Sequence, residues 1–461
     1  MKMEEKILQG IICKIQKKAL FFRKMAGILA GLMIFEGIVY VSDWMLVSGD
    51  EWTRDLWHHY YEDTGKIDNI YLGSSHVFCD LDPTILDQLS GQYNFNLATP
   101  LQPLNASYYL LREADRINKL SHVYLELYYD CSYSDEQLLN YNRNWSNTDY
   151  MRFSLNKVSY GLAVGGSEHY INALFPFTRY RTSLGDWNQI KKNVERKRSE
   201  ERKNYQYKVT HSDGNGIDTY EKQGAGKSTR KYKNSKKLIQ QDRILTNYFM
   251  GKRNREYLCN IIKYCKEREI PITLFVSPIY DLRLISTVDY DDYTLAIREF
   301  AAEQGVPFYD FNLVKEEYLP IQDGKNFRDS QHLNQYGAEK FTRFFYQVVN
   351  GEEADNEKYF CDSYEERLRK STPAVLGIYE EQLEEQLEEP PENRTLWVAS
   401  NRGMEMEYQI TLTPDGKRRR QIQDFQDNMK FQVPAEEHGI CTIAARVKET
   451  PVEMRTMSVR Y

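Results

Sequence analysis

Two short stretches of this chain carry side chains that do chemistry in combination. One is Gly73-Ser74-Ser75-His76, closing the apolar run Ile70-Tyr71-Leu72, and the other, about 250 residues on, is Asp329-Ser330-Gln331-His332. A serine hydroxyl is a poor nucleophile until an imidazole takes its proton, and the imidazole needs a carboxylate to fix its tautomer and stabilise its charge. Asp329 and His332, three residues apart on a turn, can be neighbours and face a serine together. Backbone N–H groups around Ser75 and Ala98 would then stand ready for the oxyanion of an acyl-transfer intermediate. Taken singly, these residues also read as a capping serine, a helix-capping aspartate and a surface histidine. The joint reading depends on the elements between them.

Those elements alternate. An apolar run that stops in glycine reads as a buried parallel strand over Asn69–Gly73, and ligands in open α/β sheets bind at the strands' C-terminal edge. Pro83–Leu89 predicts a short helix, Tyr93–Leu97 a second strand, Leu104–Ile117 a helix and His122–Tyr129 a third strand. The rhythm returns with an amphipathic Tyr257–Lys266, the strand around Ile272–Val276, a helix over Tyr293–Gln304, a strand in Val306–Phe311 and a helix over Gln335–Val349. Such βαβ succession argues for a parallel sheet of about five strands, with the serine, the aspartate and the histidine in that chain order.

Between Cys131 and Tyr248 the rhythm is lost. Tyr150–Leu184 is aromatic and reads as a helical insertion beside the site, and Lys191–Lys237 carries fifteen Lys or Arg residues. The basic stretch reads as a solvated loop or as a surface attracted to anionic polymer or lipid headgroups. Its Gly224-Ala225-Gly226-Lys227-Ser228 lacks the four-residue spacer and preceding strand of a phosphate loop.

At the N-terminus, Met25–Val41 is apolar apart from Glu36 and extends to Val47, a length that spans a bilayer. Lys14, Lys17, Lys18, Arg23 and Lys24 precede it while Asp43, Asp50 and Glu51 follow, so the expected orientation is N-terminus in the cytoplasm and the remainder outside. No small-x-small cleavage site follows Val41, which favours an uncleaved anchor over a signal peptide. Glu36 either pairs with a partner helix or sits near the interface of a tilted span. The chain has 461 residues, 41% of them hydrophobic, enough for a substantial core, and a net charge of −6 that gives no basic field for nucleic acid. Seven cysteines form no CxxC pairs, and no histidines and carboxylates share metal-ligand spacing, so neither a disulfide framework, a metal nor another cofactor is expected.

Gly73-Ser74-Ser75-His76 resembles block I of the SGNH or GDSL hydrolases, Asn96-Leu97-Ala98 their block II, and Asp329-Ser330-Gln331-His332 their block V Asp-x-x-His. The resemblance covers roughly residues 65–136 and 250–350, and by its alignment the nucleophile is Ser75 rather than Ser74. It implies a three-layer α/β/α fold and a catalytic Ser75, Asp329 and His332, with Ala98, Ser74 and His76 lining the site. Membrane-anchored members, including the D-alanine transfer proteins of teichoic-acid modification and the alginate O-acetylation proteins, are more similar than secreted lipases. They imply O-acyl transfer, with acetyl the first choice, to a cell-envelope glycan or polyol polymer, often beside a membrane-bound O-acyltransferase. A carbohydrate esterase or a non-catalytic accessory subunit are the alternatives. Block II usually has glycine where Ala98 stands, and block III an asparagine where this chain reads Leu127-Tyr128-Tyr129-Asp130, so Gln102 is the candidate replacement amide. Tyr108, Tyr109, Tyr128 and Tyr129 either stack on sugar rings or pack in the core.

The expected organisation is thus a cytoplasmic N-terminus and anchor over 1–50 and an SGNH-like α/β domain over 51–350 with an insertion at about 135–250. An acidic helical linker over 351–392 and a small β domain over 393–461 follow, the latter read from period-two alternation in Thr395–Val398, Tyr408–Leu412, Met429–Val433 and Ile440–Ala445.

Overall fold

The computed structural model describes residues 2–47, 51–139, 141–199, 207–208, 219–233, 238–243, 250–351, 356–382, 392–448 and 450–461. The glycines of Asp213–Gly216 and most of the acidic run Glu380–Glu392 lie outside the described residues.

Within helix α1 (Lys2–Leu46), the segment Gln16–Leu46 is long and apolar enough to cross a bilayer, its most apolar part reaching a mean hydropathy of 1.8. Helix α2 (Glu51–Glu62) leads into the sheet. Five strands follow: β1 (Asn69–Leu72), β2 (Asn94–Asn96), β3 (His122–Glu126), β4 (Ile272–Val276) and β5 (Phe308–Asp310). All pairings are parallel and the order is β5-β4-β3-β1-β2. Chain direction across the sheet therefore reverses between β1 and β3, and that reversal opens a crevice at the strands' C-terminal ends.

Every residue of β1 and β4 is buried, as continuous apolar runs require when both faces are covered. Alternation divides them. Ile70, Leu72, Val123 and Leu125 face a core shared with α5 (Leu104–Ile117), α9 (Lys252–Glu267) and α10 (Tyr290–Gln304). Tyr71, Tyr124 and Phe275 face a second core with α3 (Ser75–Asp80), α4 (Pro83–Ser90) and α11 (Gln335–Val349). In register, Tyr71 and Tyr124 stack with rings 4.7 Å apart and 7° between planes, and Phe345 of α11 closes on both. A buried phenylalanine of this kind contributes about 1.5–3 kcal/mol, so the faces are held by side chains one residue out of phase along each strand.

The insertion after β3 supplies α6 (Tyr141–Tyr150), α7 (Leu155–Leu174) and α8 (Trp187–Lys197). Part of the basic stretch differs from the expected solvated loop. Tyr220 is fully buried against Trp52 and His59, and Lys227 pairs with Asp82 at 2.8 Å and Glu221 at 2.7 Å. The small Gly224 allows a tight approach here, because a Cβ in its place would overlap the Asn96 carbonyl.

β3 also stops earlier than Tyr129. Leu127 N–H makes the last sheet bond, to Phe275 O, and Tyr129–Ser132 then forms a helical turn. Toward the C-terminus, β6 (Val375–Glu380) lies within the stretch expected to be a helical linker, although a short helix Tyr364–Lys370 does precede it. Its Val375 and Ile378 face a core of β strands while Leu376 and Tyr379 face the α11 core, so both its faces are apolar. The remaining strands are β7 (Asn393–Ser400), β8 (Met406–Pro414), β9 (Arg420–Gln426), β10 (Lys430–Pro434), β11 (Gly439–Val447) and β12 (Thr450–Arg460). They form one antiparallel sheet β9-β8-β11-β12 and a second, β10-β7-β6, extended by Ile239–Gln240.

Candidate active site

The end of β1 dictates the position of the serine. Gly73 has φ +146°, and a Cβ there would come 2.6 Å from Glu126 Cβ and 2.7 Å from Val77 Cγ2, so the turn accepts glycine alone. Ser74 caps α3, its Oγ accepting from His76 N–H at 3.2 Å. Ser75 is the first residue of α3, where an N–H has no acceptor within the helix. Half-buried, it stands at the C-terminal edge of β1 beside the reversal of strand order.

The turn before α11 brings the other two groups to it. Ser75 Oγ is 2.8 Å from His332 Nε2, and His332 Nδ1 is 3.0 Å from each Asp329 carboxylate oxygen. The three-residue spacing follows from the turn: Asp329 Oδ1 accepts N–H bonds from Gln331 and His332, both at 2.8 Å, so the carboxylate folds over its own backbone. Asn334, not Asp329, caps α11, accepting from Tyr336 and Gly337 N–H. Arg328 is buried and its Nε donates to Asp329 Oδ2 at 3.1 Å. Burial by itself would raise the Asp329 pKa; His332, Arg328 and the Gln331 N–H outweigh it and hold the carboxyl far below the usual range. Burial lowers the His332 pKa, against partial opposition from Asp329. The imidazole is therefore neutral near pH 7, able to accept a proton from Ser75, with Asp329 placed to stabilise the imidazolium.

Beneath this chain of contacts lies a buried layer of which the sequence reading named Ser74 and His76 but not Glu126 or Asp80. Glu126, at the end of β3, accepts Ser74 N–H at 2.7 Å and lies 3.5 Å from His76 Nδ1, and burial pushes its pKa up to about 7. His76 is fully buried, contacts Ser74 Oγ at 3.0 Å and stacks on His332 with rings 4.7 Å apart. Burial drives its pKa well below the ordinary value, so no second positive charge opposes the imidazolium of His332. Asp80 Oδ1 accepts Leu333 N–H at 3.0 Å and ties α3 to the histidine turn. A carboxylate ending a strand after Val123, Tyr124 and Leu125 was the available signal for Glu126, since the C-terminal edge is where such sheets work.

The expected oxyanion donors are not assembled. Ala98 N–H is already donated to Asn96 Oδ1 at 3.2 Å. Gln102 is buried, with its amide donating to Ser107 Oγ at 3.0 Å and its carbonyl accepting from Thr99 at 2.9 Å, so it braces its own loop and does not replace the block III asparagine. Both assignments are corrected accordingly. Among the described residues Ser75 N–H makes no hydrogen bond. Of the tyrosines, Tyr109 stacks on Tyr160 in the core, while Tyr128 packs edge-on to His76, its single O–H within reach of acceptors on Asp130 at 2.9 Å and Gln331 at 3.0 Å. Among the described residues no group of three or more His, Cys, Asp or Glu is placed to hold a metal.

The molecule is thus a mixed α/β protein with a serine, histidine and aspartate in hydrogen-bonded sequence at the C-terminal edge of a parallel sheet. No family model and no curated protein matches the chain. It is similar to a solved structure described as a candidate acylhydrolase from Bacteroides fragilis, with 9% identity over 66% of this chain and 98% of that one and a TM-score of 0.30. A double mutant of an endo-β-1,4-mannanase from Cellulomonas fimi aligns at 9% identity over 90% of this chain and 98% of that one, with a TM-score of 0.15. Scores this low carry no argument about activity, which rests on the site itself.

Proposed function

We propose that this protein is an SGNH-type serine acyltransferase. The carrying observation is the unbroken contact from Ser75 Oγ to His332 Nε2 at 2.8 Å and from His332 Nδ1 to Asp329 at 3.0 Å. Ser75 Oγ attacks the donor's acyl carbonyl while its proton passes to His332 Nε2; the donor's alcohol leaves with that proton, and the acyl group stays on Ser75 as an ester. An acceptor hydroxyl then reverses the steps. Apolar helices on both faces of the sheet support the three-layer SGNH fold. The apolar Met25–Val41 of α1, with cations before it and carboxylates after it, supports a single-pass anchor with the site outside the cell membrane. On the resemblance of blocks I, II and V, the acyl group is acetyl, the acceptor a cell-envelope polysaccharide or teichoic-acid-like polymer, and a membrane-bound O-acyltransferase the partner beside it. With water as acceptor the same residues make an esterase.

A second reading, a polymer-binding accessory subunit without turnover, is favoured by one observation: the Ala98 and Gln102 donors are spent inside their own loop. The test is incubation with p-nitrophenyl acetate followed by intact-mass measurement of the wild type, Ser75→Ala, Ser74→Ala and His332→Ala. A single acetyl adduct that survives in Ser74→Ala and disappears in Ser75→Ala supports the enzyme. Folded protein with neither adduct nor turnover, and cellular function that persists in Ser75→Ala, would replace it with the accessory reading.

A further inference from the structure

Met25–Leu46, the apolar part of α1, extends about 33 Å at ~1.5 Å per residue, close to a hydrocarbon core of about 30 Å. Its C-terminal end is already claimed by protein. Lys197 Nζ donates to the carbonyls of Trp44 at 2.7 Å and Val47 at 2.6 Å, Asn193 donates to Met45 O at 2.7 Å, and Asp43 accepts Phe177 N–H at 2.8 Å. Glu36 and Asp43 line a cavity of about 730 Å³ together with Arg152, Lys157 and Lys197 of the insertion. Glu36 and Asp43 thus both border a cavity shared with the insertion.

The insertion does not stop at that end. The turn Arg181–Gly185, just before α8, also touches α1, so α8 runs beside it, and its ~16 Å length sets Leu184 and Trp187 nearer the membrane than Lys197. From the end of α7, Phe175 also reaches α1, its ring 5.8 Å from that of Phe35, which lies eleven residues before Leu46. Trp187 is 73% exposed, Leu184 61% and Ile171 48%. Large apolar side chains exposed along a helix that is itself clothed in lipid have the same cover available.

We propose that Ile171–Trp187 is a second membrane-contacting element, lying in the headgroup and upper acyl region of the leaflet from which the catalytic part emerges. The partner is the lipid bilayer, met by Ile171, Leu184 and the interfacial Trp187, with Arg181, Lys191 and Lys192 at phosphate level. This rests on α1 crossing the bilayer. The test uses the full chain in bilayers of phosphatidylcholine brominated part-way down the acyl chains, with unbrominated lipid as reference. Tryptophan emission quenched by bromine should be lost in part when Trp187→Phe is compared with wild type, because that difference isolates one indole. Equal bromine quenching in both proteins, with the Trp187 component open to aqueous iodide, overturns the inference. Carbonate extraction separates the two ideas: protein retained in the membrane with Trp187 unquenched sinks this element alone, whereas release by carbonate overturns the α1 reading and this element with it.

Discussion

The turn 328–334 and the loop 97–103 both sit at the C-terminal edge of the sheet, and they are built to opposite ends. In the turn, Asp329 spends its carboxylate on holding His332, whose free nitrogen meets Ser75 at 2.8 Å. In the loop the polar groups close on one another: Thr99 N–H on Gly73 O, Ala98 N–H on Asn96, and Gln102 on Thr99 and Ser107. Leu101 there has φ +46°, a conformation that costs a non-glycine residue on the order of 1 kcal/mol. For the proposed acyl transfer, the proton-transfer half of the site is therefore preassembled and the charge-stabilising half is not. On that proposal, the serine nucleophile would form readily and turnover would follow the pace at which donors other than Ser75 N–H are supplied.

The sharpest break in this contrast comes from its stronger half. Ser75→Ala and His332→Ala should each lower acetyl-adduct formation by about 10⁴-fold or more, read by intact mass over time, whereas Ser74→Ala keeps the adduct. Asp329→Asn should cost about 10²–10⁴-fold in the same assay. In the wild type the acylation rate should climb with pH through a value below the ordinary histidine pKa of 6.5, since burial lowers that of His332, and stay flat through neutrality. A midpoint above 6.5 would mean that Asp329 dominates burial.

Glu126→Gln tests the layer beneath. The Glu126 pKa is raised to about 7 from 4.5, so the folded protein holds this proton more tightly than the unfolded chain does. That contribution is full below pH 4.5 and is lost as pH rises through about 7, a decline on the order of 3 kcal/mol. Glutamine keeps an acceptor for Ser74 N–H and removes the titration, so urea midpoints between pH 5 and pH 8 should fall less in the variant. The smallest effect is expected from Gln102→Ala. An oxyanion donor would cost about 10²–10³-fold in acylation; a loop brace costs only a few-fold per folded molecule, and a large loss would show that Gln102 leaves Ser107 during the reaction.

What could be read in advance followed from local patterns. β1 and β4 are uninterrupted apolar runs, α5 and α11 repeat apolar residues at helical spacing, and Asp329 and His332 announce themselves by a spacing their own turn enforces. What escaped depends on partners distant in the chain or on which acceptor a backbone donor finds. Nothing in Ala98 says that Asn96 will take its N–H, and Glu126 is one charge in a strand until Gly73, 53 residues earlier, packs on it. β6 was hidden by the acidic residues after it, although its alternation serves two cores at once.

The clasp of Lys197 and Asn193 over the last carbonyls of α1 has a geometric consequence for how substrate is found. A domain hung from its anchor by a loose thread sweeps a hemisphere. On the proposed anchored reading, a domain fixed to the top of its own rod would revolve about the rod, and Ser75 would travel a circle at one altitude above the lipid. A polymer acceptor of the kind proposed would then be worked on where it crosses that altitude, and the modification pattern along it would record the height of the protein as much as the preference of its cleft.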